Sequence, residues 1–210
     1  MASSSAVPLL SSIAATTSRS LLCAMQAEET VRRDAAFNAL PYSGLGTEQA
    51  VQFVYRWTGH NSRMAIVLSL RRRMEFADLL FLLGRCWPDC DNIREYARDL
   101  RQIIGVEGPL LSMMSNEERQ AYRALPDKLT VYRGCSSSYP HGASWSLDRE
   151  VARRFPLMIR YEVADPILIT ATVRKPHVLA LLLGRKEQEI VTFRLRRTKF
   201  EPIEVQSRAA

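Results

Sequence analysis

The sequence predicts an α+β fold in which a helical first half packs against a strand-rich second half. Apolar residues from about Met25 to Arg123 recur at the 3.6-residue spacing of helices. From Leu129 onward they instead form short runs or alternate with polar residues, as they do in strands. We therefore expect a single domain made of a helical part, 23–126, and a strand-rich part, 127–210.

The composition is that of an ordinary globular chain. Its 210 residues are 47% hydrophobic and 24% charged, which argues against a disordered chain. No apolar run approaches the ~18 residues that a membrane helix needs, so a soluble protein without a membrane partner is expected. The predicted compartment is the cytoplasm, and secretion stays open.

Residues 1–22 are rich in Ser, Ala and Thr and carry no charge before Arg19. A secretory signal begins with positive charge and continues with an unbroken apolar stretch, and Pro8 and the neighbouring serines interrupt the apolar run here. The segment is interpreted as a flexible tail.

The four cysteines are Cys23, Cys86, Cys90 and Cys135. Four cysteines in a chain of this length do not make a disulfide scaffold, so cytosolic thiols are expected. Cys86 and Cys90 have no second pair of cysteines or histidines at ligand spacing. No metal site is therefore predicted.

The charge is unevenly distributed. The net charge is +7, and residues 149–210 hold 13 Lys or Arg against 7 Asp or Glu. A basic surface attracts an acidic or polyanionic partner by long-range electrostatics. A solvated basic surface without such a partner is the alternative interpretation.

The first half is predicted to contain five helices, which end at proline or glycine where the apolar periodicity stops. They are expected over 28–40, from Thr47 past Tyr55, from Asn61 to about Leu83, from Asp91 to Gly105, and from Ser115 to Leu125. Ser115 and Glu118 have the spacing of a capping box, which supports the start of the last of these helices.

The second half is predicted to contain five extended segments and one short helix. The apolar residues of these segments either alternate with polar ones or form short unbroken runs, which are typical of half-buried and buried strands. Asp148 is expected to cap the helix, which continues through Phe155. The extended segments are Leu129–Gly134, Ser144–Ser146, Ile167–Val173, Val178–Leu182 and Glu189–Leu195.

Two carboxylates stand at the start of the last predicted strand. Glu187 and Glu189 follow a turn that begins at Gly184. Side chains two residues apart in an extended chain point the same way, roughly 6.6 Å apart along the strand. Two acids on one face can perform acid/base chemistry or stabilise a developing cation. A charged turn that merely leads into a strand is the alternative.

Arg133 near the end of one strand, Ser144-Trp145-Ser146 in the next extended segment, and Glu187 with Glu189 at the last strand form an ordered set: Arg, Ser-x-Ser, Glu-x-Glu. In this the sequence resembles the arginine–serine–glutamate class of mono-ADP-ribosyltransferases, the cholera-toxin-like group that includes bacterial toxins and phage-encoded modifiers. The resemblance covers about Leu129 to Leu195, roughly a third of the chain. It implies a split β-sandwich core and NAD as co-substrate, without a metal.

The resemblance also implies roles for the motif residues. Glu189 matches the catalytic glutamate that hydrogen-bonds the ribose 2′-hydroxyl, and Glu187 matches the acid that positions or deprotonates the acceptor. Arg133 matches the arginine that holds NAD phosphate, and Ser144 matches the serine that orients the catalytic glutamate. The neighbours expected to line the same NAD site are Tyr132, Gly134, Trp145 and Ser146.

Each of these residues also has a purely structural interpretation. Arg133 could pair with a surface acid, and the two serines could simply lie at a strand edge. Tyr132 and Trp145 suit the core or the pocket wall, or could stack on nicotinamide or adenine. The sequence departs from the common pattern at Trp145, where many members have threonine, and in its short Arg133–Ser144 interval.

Three functions remain open for this chain. A glutamate at position 187 is typical of family members that modify arginine, so transfer of ADP-ribose to an arginine of a target protein is the leading prediction. Arg185 and Lys186, in a turn that helps to recognise the target in this family, also suit an RNA or DNA acceptor. A non-enzymatic nucleic-acid-binding protein is the third possibility, and it explains none of the three motifs.

Overall fold

The computed structural model describes residues 7–159, 161–184 and 188–204. The chain divides into two compact units, Met1–Ser43 and Gly44–Ala210. The first unit contains helix α1 (Val7–Asn38), whose second half corresponds to the predicted helix over 28–40. Helix α1 also includes part of the segment 1–22, for which a flexible tail stays a prediction.

The second unit begins with five helices, and short 3-10 turns lie in every connection between them except the first. Helix α6 carries the predicted capping box, because the Ser115 hydroxyl accepts a hydrogen bond from the Glu118 amide while the Glu118 carboxylate accepts one from the Ser115 amide. These helices are α2 (Thr47–Trp57), α3 (Arg63–Ser69), α4 (Phe76–Cys86), α5 (Ala97–Ile104) and α6 (Asn116–Ala124).

The long helix predicted from Asn61 to Leu83 is wrong, because the chain breaks between α3 and α4. A 3-10 turn, Leu70–Arg72, follows α3, and the Arg73 carbonyl accepts a hydrogen bond from the Leu45 amide at 2.8 Å. That carbonyl is therefore bonded across the fold instead of along a helix. The break lets the apolar residues of both helices reach the core.

The second half forms one antiparallel six-stranded sheet in the order β4-β5-β2-β1-β3-β6. Helix α7 (Arg149–Arg154) follows β2 and is capped by the Asp148 carboxylate, as predicted. The helices and this sheet confirm the α+β class. The strands are β1 (Lys128–Ser136), β2 (Ser144–Ser146), β3 (Pro166–Arg174), β4 (Ala180–Leu182), β5 (Glu189–Val191) and β6 (Arg196–Pro202).

The end of the chain differs from the single strand predicted over 189–195. The Thr192 hydroxyl donates to the His177 carbonyl at 2.7 Å and accepts from the Arg194 amide at 3.2 Å, and these bonds turn the chain after β5. The chain then returns as β6, which pairs with β3 at the edge of the sheet.

The middle of the sheet is its least connected part. Strands β1 and β3 pair along their whole length, from Lys128↔Arg174 to Ser136↔Pro166. Strands β1 and β2, in contrast, share one register pair, Tyr132↔Ser146. The three-stranded groups on either side of this pair are therefore joined at a narrow junction.

Within the described part of the chain, every helix is too short or too polar to span a bilayer.

Candidate active site

A cleft lies where β1 and β2 meet in the second unit. It contains roughly 640 Å³ of empty space, including its opening to solvent. Strands β1, β2 and β5, helix α7 and the 3-10 turn Trp87–Asp89 all contribute to its wall. The predicted site residues that line it are Tyr132, Arg133, Gly134, Ser144, Trp145, Ser146 and Glu189. Glu187 lies outside the described residues.

Arg133 is the cation of the cleft. Its Nη1 donates to the Ser144 carbonyl at 2.8 Å, while its buried Nε has no hydrogen-bond partner among the described residues. Burial lowers the pKa of the guanidinium from its usual value, and Cys135 and Glu189 oppose that shift. A guanidinium stays charged in proteins, so Arg133 presents a desolvated positive charge with an unused donor.

Glycine makes room for this guanidinium. A Cβ on Gly142 would stand 2.3 Å from Arg133 Cζ, so any side chain at position 142 would occupy the space of the guanidinium. The polar, turn-prone loop between β1 and β2 therefore shapes the arginine site as well as connecting the strands.

Glu189 and Ser144 share one donor. The indole Nε1 of Trp87 lies 3.0 Å from the Ser144 hydroxyl oxygen and 3.0 Å from Glu189 Oε1. Strands β2 and β5 place both acceptors, since Ser144 pairs with Val191 and Ser146 pairs with Glu189. Ser144 thus contacts Arg133 through its carbonyl and Trp87 through its hydroxyl. It therefore connects the guanidinium of Arg133 to the indole that also donates to Glu189.

The remaining predicted residues form the wall and frame of the cleft. The Ser146 hydroxyl accepts from the Asp148 amide at 3.0 Å, which fixes the entry to α7. Trp145 is 2% exposed, and its Nε1 donates to the Gly142 carbonyl. Tyr132 packs against a small apolar cluster formed by Ala152, Leu168 and Ile203.

The sequence did not identify the residues that the helical part contributes. Trp87, Pro88, Cys90 and Ile93 all line the cleft, although they are distant in sequence from the three motifs. The one available signal was the tryptophan itself, because a buried indole N–H requires a hydrogen-bond acceptor. The sequence alone does not show where that acceptor lies.

An aromatic pair also borders the cleft. The rings of Phe155 and Tyr161 stack at 4.2 Å between centroids, and the Tyr161 hydroxyl donates to Asp91 Oδ1 at 2.9 Å. This hydrogen bond connects the segment after α7 to the helical part. The cleft therefore has planar apolar surface close to its charged groups.

The cysteines near the cleft are buried thiols. Burial raises the pKa of Cys86 to about 11 and that of Cys90 to about 12, and it raises the pKa of Cys135 as well. Cys23 is exposed. Within the described ranges, 7–159, 161–184 and 188–204, no group of three or more His, Cys, Asp or Glu side chains is placed to hold a metal ion.

We expect one rapidly reacting thiol at pH 8 in the native protein. A raised pKa lowers the reactive thiolate fraction, and burial also limits access, so Cys86 and Cys90 should react with a disulfide reagent roughly 100-fold or more slower than Cys23, and Cys135 should also react more slowly than Cys23. The measurement is the time course of thiol labelling, with the denatured protein as the control in which all four react alike. Two or more fast thiols in the native protein would contradict the burial of these cysteines.

Comparisons with protein-family models, with curated proteins and with solved structures found no match to this chain.

Proposed function

We propose that the protein is a mono-ADP-ribosyltransferase that transfers ADP-ribose from NAD to an acceptor and releases nicotinamide. One observation carries the proposal: Arg133, Ser144 and Glu189, which lie on the three different strands β1, β2 and β5, line one cleft. Arg133 bonds to Ser144, and Ser144 and Glu189 accept the same indole N–H. Arginine, serine and glutamate are also the residue types whose order in the sequence resembles this enzyme class.

The reaction explains why a carboxylate is needed at this place. The bond between the ribose C1′ and the nicotinamide nitrogen breaks, and its electron pair leaves with nicotinamide. Positive charge develops on the sugar, the acceptor forms the new bond to C1′, and the acceptor loses a proton. A preorganised charge such as the Glu189 carboxylate, placed against the ribose, stabilises that transition state.

Arg133 suits the phosphate end of NAD. A guanidinium offers several donors in a fixed planar fork, which matches the oxygen pair of a phosphate. The buried Nε has no hydrogen-bond partner among the described residues, so a phosphate oxygen that reached it would supply the missing acceptor. The aromatic pair Phe155 and Tyr161 and the ring of Tyr132 give the cleft planar surface suited to the bases of a dinucleotide.

The proposed acceptor is an arginine side chain of a target protein. That choice depends on Glu187, whose role comes from the resemblance alone. A nucleic-acid acceptor is the second candidate, because the basic residues of the edge strand β6 include the exposed Arg196 and Lys199. Both candidates use the same chemistry at the ribose and differ in what attacks C1′.

The experiment that tests the proposal uses NAD labelled in its adenylate part, a whole-cell lysate and the full-length protein. We expect macromolecular label with the wild-type protein together with release of nicotinamide. Treating the labelled sample with protease or with nuclease shows whether protein or nucleic acid carries the label. A heat-denatured sample of the same protein is the control.

Absence of both label and nicotinamide release would overturn the proposal. The non-enzymatic alternative predicts a different result: nucleic-acid binding that weakens steeply as salt is raised and that is indifferent to NAD. Nicotinamide release without macromolecular label would show NAD cleavage with water as the acceptor, and would contradict the transferase assignment in that lysate.

A further inference from the structure

Trp87 connects the helical part of the second unit to the proposed catalytic strands. Its side chain is 1% exposed, and its single N–H lies 3.0 Å from both Ser144 Oγ and Glu189 Oε1. Such a shared, three-centre hydrogen bond fixes two acceptors at once. The two acceptors stand 57 and 102 residues from Trp87 in the sequence, so the contact is made by the tertiary fold.

The turn that carries this indole is itself held in place. The Tyr55 hydroxyl lies 2.9 Å from Asp89 Oδ2 and 3.1 Å from the Arg85 carbonyl, on either side of Trp87. The buried Arg63 donates to the Asp89 carbonyl at 3.0 Å. Helices α2 and α3 therefore fix the position of the Trp87–Asp89 turn, and the turn fixes the indole.

The chemistry of the indole suits a positioning task. It is a donor only, it carries no charge, and it does not titrate in the range where proteins are folded. A donor of this kind can hold an ionised carboxylate without competing for the reaction's proton. Donation to a charged acceptor is also stronger than donation to a neutral one.

We propose that Trp87 is a positioning residue of the transferase, whose indole N–H orients the Glu189 carboxylate and the Ser144 hydroxyl in the NAD cleft. The inference rests on the proposed function and extends it by assigning a role to the helical part. In this proposal Arg133 binds NAD, whereas Trp87 determines how well the Glu189 carboxylate is oriented toward the bound NAD.

The test compares the full-length wild-type protein with Trp87→Phe, which keeps an aromatic ring and removes the N–H. We expect kcat for nicotinamide release to fall about 10–100-fold, because small misplacements of a catalytic group are costly. The dissociation constant for NAD should change less than about threefold, because the variant keeps the interactions that bind NAD equally in the ground state and in the transition state. Binding is measured by calorimetry, and turnover is measured by nicotinamide release.

Two further proteins make the result decisive. Trp57→Phe makes the same chemical change at the end of α2, outside the cleft, and should keep wild-type kcat. If Trp87→Phe does not fold, benzothienylalanine at position 87 preserves the bicyclic shape and replaces the N–H by sulfur. The expected kcat loss is the same in that protein.

The outcomes are distinguishable. A wild-type protein without NAD cleavage defeats the proposed function itself. An active wild-type protein with unchanged kcat in the folded Trp87 variant defeats only the positioning role. A loss of NAD affinity as large as the loss of kcat also overturns that role, because it indicates general damage to the cleft.

Discussion

Glu189→Gln is expected to reduce NAD cleavage by at least about 100–1,000-fold, since this is the usual effect of removing one preorganised electrostatic group. Glutamine has nearly the same shape as glutamate, and its amide oxygen can still accept the Trp87 N–H, which lies 3.0 Å from Glu189 Oε1. The variant therefore loses the negative charge with little loss of packing. Its defect should appear in kcat, because the charge matters most when the sugar becomes cationic.

The measurement is nicotinamide release over time, accompanied by thermal unfolding and NAD binding for each protein. Glu150→Gln is the matched control, since Glu150 lies on α7, forms an exposed ion pair with Arg149 and does not line the cleft. Exposed pairs contribute little, so that variant should keep wild-type activity and stability. Wild-type cleavage by folded Glu189→Gln would show that this carboxylate does not stabilise the transition state.

The sequence predicted the described motif residues of the candidate site because each carries a local signal. Arg133, Ser144 and Glu189 stand in segments whose alternation predicts a strand, and their order resembles a known enzyme class. The strand order that places β1, β2 and β5 side by side is a property of the whole chain. No local pattern could reveal Trp87, because a tryptophan at a helix end is compatible with any acceptor that the fold supplies.

Two parts of the fold differ from what the sequence predicts, and the reasons are similar. Strand β6 contains four charged residues among seven, and these do not alternate with apolar residues as they would in a typical strand. The segment is nevertheless a strand because it pairs with β3. The charged residues are Arg196, Arg197, Lys199 and Glu201. The break between α3 and α4 depends on the Leu45 amide, which comes from a loop before α2. In both places a tertiary hydrogen bond determines a structure that the local periodicity does not indicate.

Gly134→Ala is expected to destabilise the fold by about 3 kcal/mol or more, at the top of the usual range for overpacking. A Cβ at this position would stand 1.9 Å from the Ala152 carbonyl oxygen and 2.6 Å from Pro156 Cδ. Gly134 pairs with Leu168 in the middle of the sheet, so β1 cannot move away without breaking its ladder with β3. Relief therefore requires a shift of α7, whose Val151 and Ala152 line the cleft.

Thermal unfolding measures this effect, and a change of about 3 kcal/mol corresponds to a fall in Tm of roughly 6–12 °C for a chain of this size. Gly142→Ala is the matched comparison, because its Cβ would meet the movable end of Arg133 instead of backbone. That variant should lose less stability than Gly134→Ala and should bind NAD more weakly, since the guanidinium must leave its place beside Ser144. A wild-type Tm for Gly134→Ala would contradict the close approach of α7 to β1. Tight NAD binding by Gly142→Ala would contradict the proposal that Arg133 binds the phosphate of NAD. The two alanine variants therefore test separately the packing around the cleft and the role of its guanidinium.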